Sequence, residues 1–133
     1  WVLAAAETDW TFVGLTPESN AGANSIDLLP NTAQTVQMVL AGNAVNGALF
    51  TITSSVDGTP ISGATVHLTN AALVYDETIT TGMYSKAYFP ENETPGMLPE
   101  TYDYEVTAAG FTTETGTVTV TSGLESVPIS MSP

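Results

Sequence analysis

The chain has 133 residues, a length that fits one domain or one domain with an extension and suffices to bury a core without disulfides. It carries 14 acidic residues against one Lys and no Arg, for a net charge of −13. That balance disfavours nucleic acid and anionic membrane surfaces as partners, because both need Lys or Arg to neutralise phosphate. With no Cys, a disulfide framework and Cys-based metal or thiol chemistry are excluded. Charged residues are only 11% of the chain and hydrophobic residues 43%, so its polar surface is mostly Thr, Ser, Asn and Gly rather than a dense carboxylate coat.

The chain opens on Trp1-Val-Leu-Ala-Ala-Ala6, which has an Ala-x-Ala pattern like that at the end of a signal peptide. We expect Trp1 to belong to the mature, ordered chain. Trp10-Thr-Phe-Val-Gly-Leu15 reads as a strand, and Thr16-Pro-Glu-Ser-Asn-Ala-Gly22 as a loop. Ser25-Ile-Asp-Leu-Leu29 is a weaker strand stopped by Pro30. Val36, Met38 and Leu40 alternate with Thr35 and Gln37 as another. The stretch 28–56 is uncharged, but Pro30, Asn31, Gln34, Gln37, Asn43 and Asn46 interrupt it, so it is no run of about 20 apolar residues and no membrane insertion is expected.

From residue 46 onward, period-two alternation dominates. Phe50 and Ile52 alternate with Thr51 and Thr53, and Asp57-Gly58-Thr-Pro60 supplies a turn. Ala64, Val66 and Leu68 alternate with Thr65, His67 and Thr69. A further strand runs through Leu73–Tyr75 or Thr78–Thr80. Met83, Ser85, Ala87 and Phe89 are expected to face inward, with Tyr84, Lys86 and Tyr88 outward. Pro90 to Gly96 is a loop. Tyr102, Tyr104, Val106 and Ala108 share one face, and Val118 and Val120 point inward. Val127, Ile129 and Met131 form the last inward row, and Pro128 places that strand at an edge or turns that position to solvent. About seven short strands at this spacing, with no sustained helical period, predict an all-β fold: an antiparallel Greek-key β-sandwich with an N-terminal strand extension.

Several stretches carry a family resemblance: Gly58-Thr-Pro-Ile-Ser-Gly-Ala-Thr-Val-His-Leu68, Ser85-Lys-Ala-Tyr-Phe-Pro90 and Thr101-Tyr-Asp-Tyr-Glu-Val-Thr-Ala-Ala-Gly-Phe111. Gly116-Thr-Val-Thr-Val120, Ser122-Gly123 and Val127-Pro-Ile-Ser-Met131 complete it. Together they resemble the carboxypeptidase regulatory-like domain, a transthyretin-like β-sandwich, over residues 46–133. Residues 1–45 form an extension outside it. The resemblance implies a non-catalytic module of an extracellular or cell-surface protein. Transthyretin-like hydrolases use His and Arg, and intradiol dioxygenases use paired His and Tyr on iron. With one His and no Arg, neither residue set carries over. The isopeptide bond of collagen-adhesin B-type repeats joins a first-strand Lys to a last-strand Asn. Residues 46–54 contain no Lys and 125–131 no Asn, so that chemistry is absent too.

Read directly, the residues agree that chemistry is sparse. His67, the sole histidine, alternates with Val66 and Leu68 and is expected on the exposed face; no nucleophile elbow accompanies it. A zinc or iron site normally needs more than one His or Cys ligand. Lys86, the sole Lys or Arg, is expected on an outer face beside a carboxylate. Glu91, Glu93, Glu100 and Asp103 cluster on or beside one loop and are weak candidates for Ca²⁺, without any repeat spacing to support it. No cofactor is expected. Asn92-Glu-Thr94 is an N-glycosylation sequon in that loop. Tyr84 and Tyr88 would form an outer aromatic row suited to sugar stacking or protein contact.

These readings lead us to expect a secreted or cell-surface structural subunit of a filament, pilus or sheath, whose partners are copies of itself. Association would use apolar surface and strand addition from residues 1–45, with Trp10, Phe12, Val13 and Leu15 on the donated strand and Tyr84 and Tyr88 at the contact. The same extension could instead fold onto its own subunit. The alternative function is a carbohydrate-binding or spacer module of a secreted hydrolase, with a polysaccharide as partner.

Overall fold

The computed structural model describes residues 10–16, 37–42, 46–90 and 96–133. The Trp1 terminus, the Ser25–Leu29 strand and the Asn92 sequon lie outside the described residues. Within them the fold is all-β, and no helix is long and apolar enough to cross a membrane. Strands β1 (Trp10–Thr16) and β2 (Gln37–Gly42) pair antiparallel as a two-stranded sheet of their own. The remaining seven are β3 (Gly47–Ser54), β4 (Thr65–Asn70), β5 (Tyr75–Thr80), β6 (Lys86–Phe89), β7 (Thr101–Thr107), β8 (Glu114–Thr119) and β9 (Leu124–Met131). They form two sheets, β6-β3-β9 and β5-β4-β7-β8, in a sandwich.

The alternation read from the sequence builds the core between these sheets. Phe50 and Ile52 of β3, Val66 and Leu68 of β4, Tyr102 and Val106 of β7, and Ile129 and Met131 of β9 all point inward and are buried. Phe50 sits at the centre, edge-on to Phe89 at 5.6 Å and to Tyr104 at 5.3 Å between ring centroids. Such T-shaped contacts place a positive ring edge on a negative ring face. Tyr104 packs against the core while remaining half-buried, because its partner on the neighbouring strand is Gly116, which offers no side chain to enclose it.

Two hairpins, β4–β5 and β7–β8, stay within one sheet; the other connections cross between the sheets. The crossings bring the first and last strands of the sandwich together. β3 and β9 run parallel, from Gly47 opposite Leu124 to Ser54 opposite Met131. A parallel pair cannot be closed by a tight turn, and here the whole of β4 to β8 serves as its crossover. It is the exception in an otherwise antiparallel fold. Asn46 ties down the start of β3: its carbonyl accepts from Met97 N at 2.8 Å, and its side chain accepts from Gly123 N at 2.8 Å.

The row through residues 83–89 differs from its sequence reading. Regular pairing begins only at Lys86, because Ser85 adopts a left-handed φ of 58° after a turn at Met83 and Tyr84. The turn breaks the alternation. Tyr84, expected on the outer face, is instead 8% exposed, and Ser85 is buried beside it. Tyr88 is half-buried, and its ring lies over Gly47, where an added Cβ would stand 3.2 Å from Tyr88 Cε2 and 2.5 Å from the Phe89 carbonyl oxygen. Leu49, on the outer side of β3, is 4% exposed, so this end of the three-stranded sheet is enclosed on both faces.

Candidate functional site

A sandwich of two open sheets has four edge strands: β6 and β9 on one sheet, β5 and β8 on the other. Edge strands invite pairing with other chains, and inward-pointing charges are one way to discourage it. In register, Glu77 of β5 stands opposite the fully buried Leu68, Glu114 of β8 opposite Val106, and Glu125 of β9 opposite Ala48. Residues opposite one another share a face, so each of these three edges turns one half-buried carboxylate toward the interior. Glu77 meets its neighbour's polarity there, accepting a short hydrogen bond from the Tyr75 hydroxyl.

β9 carries a second guard. Ser55 N donates to Met131 O at 2.9 Å, so Met131 and alternate residues back to Val127 direct their backbone groups at β3. Pro128 therefore faces away, and the donor missing from its ring nitrogen is missing from the open edge. This agrees with the edge position read from the sequence. β6 is different: its inward residues are Ala87 and Phe89, both buried, and no carboxylate lies on it. Lys86 sits on its outer side, and among the described residues no carboxylate comes within ion-pair range of it, while Glu91 and Glu93 just beyond the strand lie outside those residues.

β1 lies against β6. The sequence-predicted contact residues Trp10, Phe12, Val13 and Leu15 all fall on β1. Its register against β2 shifts between Phe12 and Gly14, so Val13 occupies a bulge. A bulge bends a strand and sharpens its twist. The pair forms no ladder with either sandwich sheet among the described residues.

The outer face of the four-stranded sheet holds a shallow trough of about 500 Å³, lined by His67, Thr69, Asp103, Glu105, Thr115 and Thr117 among others. His67 Nε2 and Asp76 Oδ1 are 2.8 Å apart, across a diagonal of the β4–β5 hairpin in which Thr69 opposes Asp76. Glu105 stands directly opposite His67 on β7. The sequence placed His67 on this face correctly, but its carboxylate partners emerge only from the register. Of the weak Ca²⁺ candidates, Glu100 and Asp103 are exposed, while Glu91 and Glu93 lie outside the described residues. Among the described residues no group of three acidic or histidine side chains is placed to hold a metal.

Toward the Asn70–Tyr75 turn the trough continues into a second hollow of about 350 Å³ beside Val74 and Tyr75. Val74 is 91% exposed and takes a left-handed φ of 53°, unusual for a β-branched residue. Burial, then the bond to Glu77 and that group's charge, push the Tyr75 hydroxyl far above the ordinary tyrosine range. Burial also raises Tyr102, whose hydroxyl donates to Leu98 O at 3.0 Å. Tyr84 is buried and Tyr88 half-buried, so neither offers the open ring that an exposed aromatic row would need. No family model matches the chain, and no curated protein matches it.

Proposed function

We propose that this protein is a non-catalytic structural subunit of an extracellular or cell-surface assembly, joined to copies of itself by β-strand addition. The observation that carries the reading is the β1–β2 pair, a two-stranded sheet that lies against β6 but shares no ladder with either sheet of the sandwich among the described residues. A two-stranded sheet is marginally stable by itself in water and gains from pairing or packing against more strands. The resemblance of residues 46–133 to carboxypeptidase regulatory-like modules supports a surface building block. So does the composition, in which few charges accompany many apolar residues. Added strands contribute main-chain hydrogen bonds, while alternate side chains fill pockets. Burying two aromatics such as Trp10 and Phe12 would supply roughly 1.5–3 kcal/mol each.

Negative-stain imaging and light scattering of the intact chain test this, beside a chain lacking residues 1–15. The intact chain should form polymers, and the shortened chain should fold yet stay monomeric. An intact chain that remains monomeric at micromolar concentration and is retarded in a polysaccharide gel would favour a carbohydrate-binding module, which the hydroxyl-rich trough around Thr69, Thr115 and Thr117 supports.

A further inference from the structure

We infer that Asn46-Gly47 is a latent deamidation site, shielded by the folded sandwich and uncovered when the start of β3 comes away. It is the only Asn followed by Gly in the chain. Such a pair is chemically labile because glycine has no Cβ to obstruct the approach of its own nitrogen. The Gly47 backbone nitrogen gives up its proton and attacks Asn46 Cγ. A C–N bond forms, the side-chain nitrogen leaves as ammonia, and a succinimide ring closes. Water then opens the ring at either carbonyl. One opening leaves Asp at position 46. The other leaves isoaspartate, in which the backbone runs through the former side chain and is one atom longer.

The fold requires both members of this pair. A Cβ at Gly47 would stand 2.5 Å from the Phe89 carbonyl oxygen, so no larger residue fits without a shift of backbone. Asn46 accepts from Gly123 N through its side chain and from Met97 N through its carbonyl, both at 2.8 Å. The same contacts hold the pair away from reaction. Gly47 N donates to Gly123 O at 3.1 Å, so the attacking nitrogen is already committed. Closing the ring requires that nitrogen to turn onto Cγ by rotation about the Asn46 backbone and side chain. The rotation breaks the two-armed bracket to Gly123 and draws Gly47 from its place opposite Leu124, the first pair of the β3–β9 ladder. Reaction therefore waits on a local opening, and β3 is the central strand of its sheet, the kind of element that opens least often. The pair also lies where the chain passes from β2 into β3, so isoaspartate would record irreversibly that this joint had opened.

The test is peptide mapping by mass spectrometry of the full chain, held in mildly alkaline buffer with and without concentrated guanidinium chloride. Circular dichroism reports which samples are folded. Deamidation replaces an amino group by a hydroxyl and adds one dalton to the peptide carrying position 46. Asp57-Gly58 can close a similar ring, but it loses and regains water with no net change in mass. The unfolded chain should convert at position 46, and the folded chain should do so more slowly by an order of magnitude or more. Gly123→Ala, which strains a residue at a φ of 75° and so loosens the bracket, should speed conversion of the folded chain several-fold. The comparison with and without denaturant stands whether or not that variant folds. Equal rates in the two solvents would overturn the shielding. A faster rate in the folded chain would overturn it too, and would mean that the Gly123 N–H assists the attack by polarising the Asn46 amide. No conversion in denaturant would overturn the site itself.

Discussion

Tyr104 and Gly116 stand directly opposite each other on β7 and β8, and the tip of the tyrosine ring fills the space that a Cβ on Gly116 would need. The same ring rests edge-on against Phe50 at 5.3 Å, so the glycine on the edge strand lets an aromatic reach the centre of the core. Gly116→Ala should therefore push Tyr104 outward and destabilise by about 1–3 kcal/mol, the usual range for overpacking. Combined with Tyr104→Ala, the alanine at 116 should cost little more than Tyr104→Ala alone. Urea denaturation of the two single variants and the double variant measures that coupling. Additive effects would mean that the ring does not depend on the glycine.

Phe89 is fully buried at the end of β6, edge-on to Phe50. Phe89→Ala should cost about 3–5 kcal/mol through lost burial plus the cavity left behind. A denaturation midpoint unchanged within error would contradict the inward register of β6.

Tyr75 and Tyr102 make an alkaline prediction, because both have pKa values raised in the folded state, chiefly by burial. In the unfolded chain they ionise near the ordinary value of about 10. The stability they contribute is thus intact below about pH 10 and is lost as pH rises from there through their higher folded values. Denaturation midpoints should fall over that window, and Tyr75→Phe should make the fall shallower. An unaltered slope in Tyr75→Phe would remove Tyr75 as its source.

Fourteen carboxylates against one Lys should repel one another between packed copies at neutral pH. Salt screens such repulsion over about 8 Å at physiological ionic strength. If the chain assembles as proposed, light scattering should rise with added salt and as pH falls toward the sequence pI of about 4.1. A flat response across both titrations would show that charge does not limit association.

Most of the sandwich was legible because strands with one buried face announce it at every second residue. Val66 and Leu68, Tyr102 and Val106, and Ile129 and Met131 each alternate with polar residues in the sequence, and all six are buried. The alternation failed at Tyr84 because a left-handed Ser85 has no composition signal comparable to Gly. Pairing between distant strands was also hidden, since nothing local in β3 or β9 names the other. The inward carboxylates needed that missing register. Glu125 continues the row Val127, Ile129, Met131 backward, but only its place opposite Ala48 turns a broken pattern into an edge guard. His67 met Asp76 for the same reason: hairpin register, not spacing, sets the diagonal.

The parallel course of β3 and β9 gives the sandwich a direction in which it should resist pulling. Gly47 leads into β3 at one end of the ladder, and Met131 closes β9 at the other. Tension applied between the two ends of the chain would slide these strands past one another along their length. The bonds between them would then be loaded together instead of unzipping singly, as a hairpin opened from its end would be. Single-molecule stretching should find a higher rupture force through the two termini than through handles attached at Thr115 and Thr78, on the two edge strands of the other sheet.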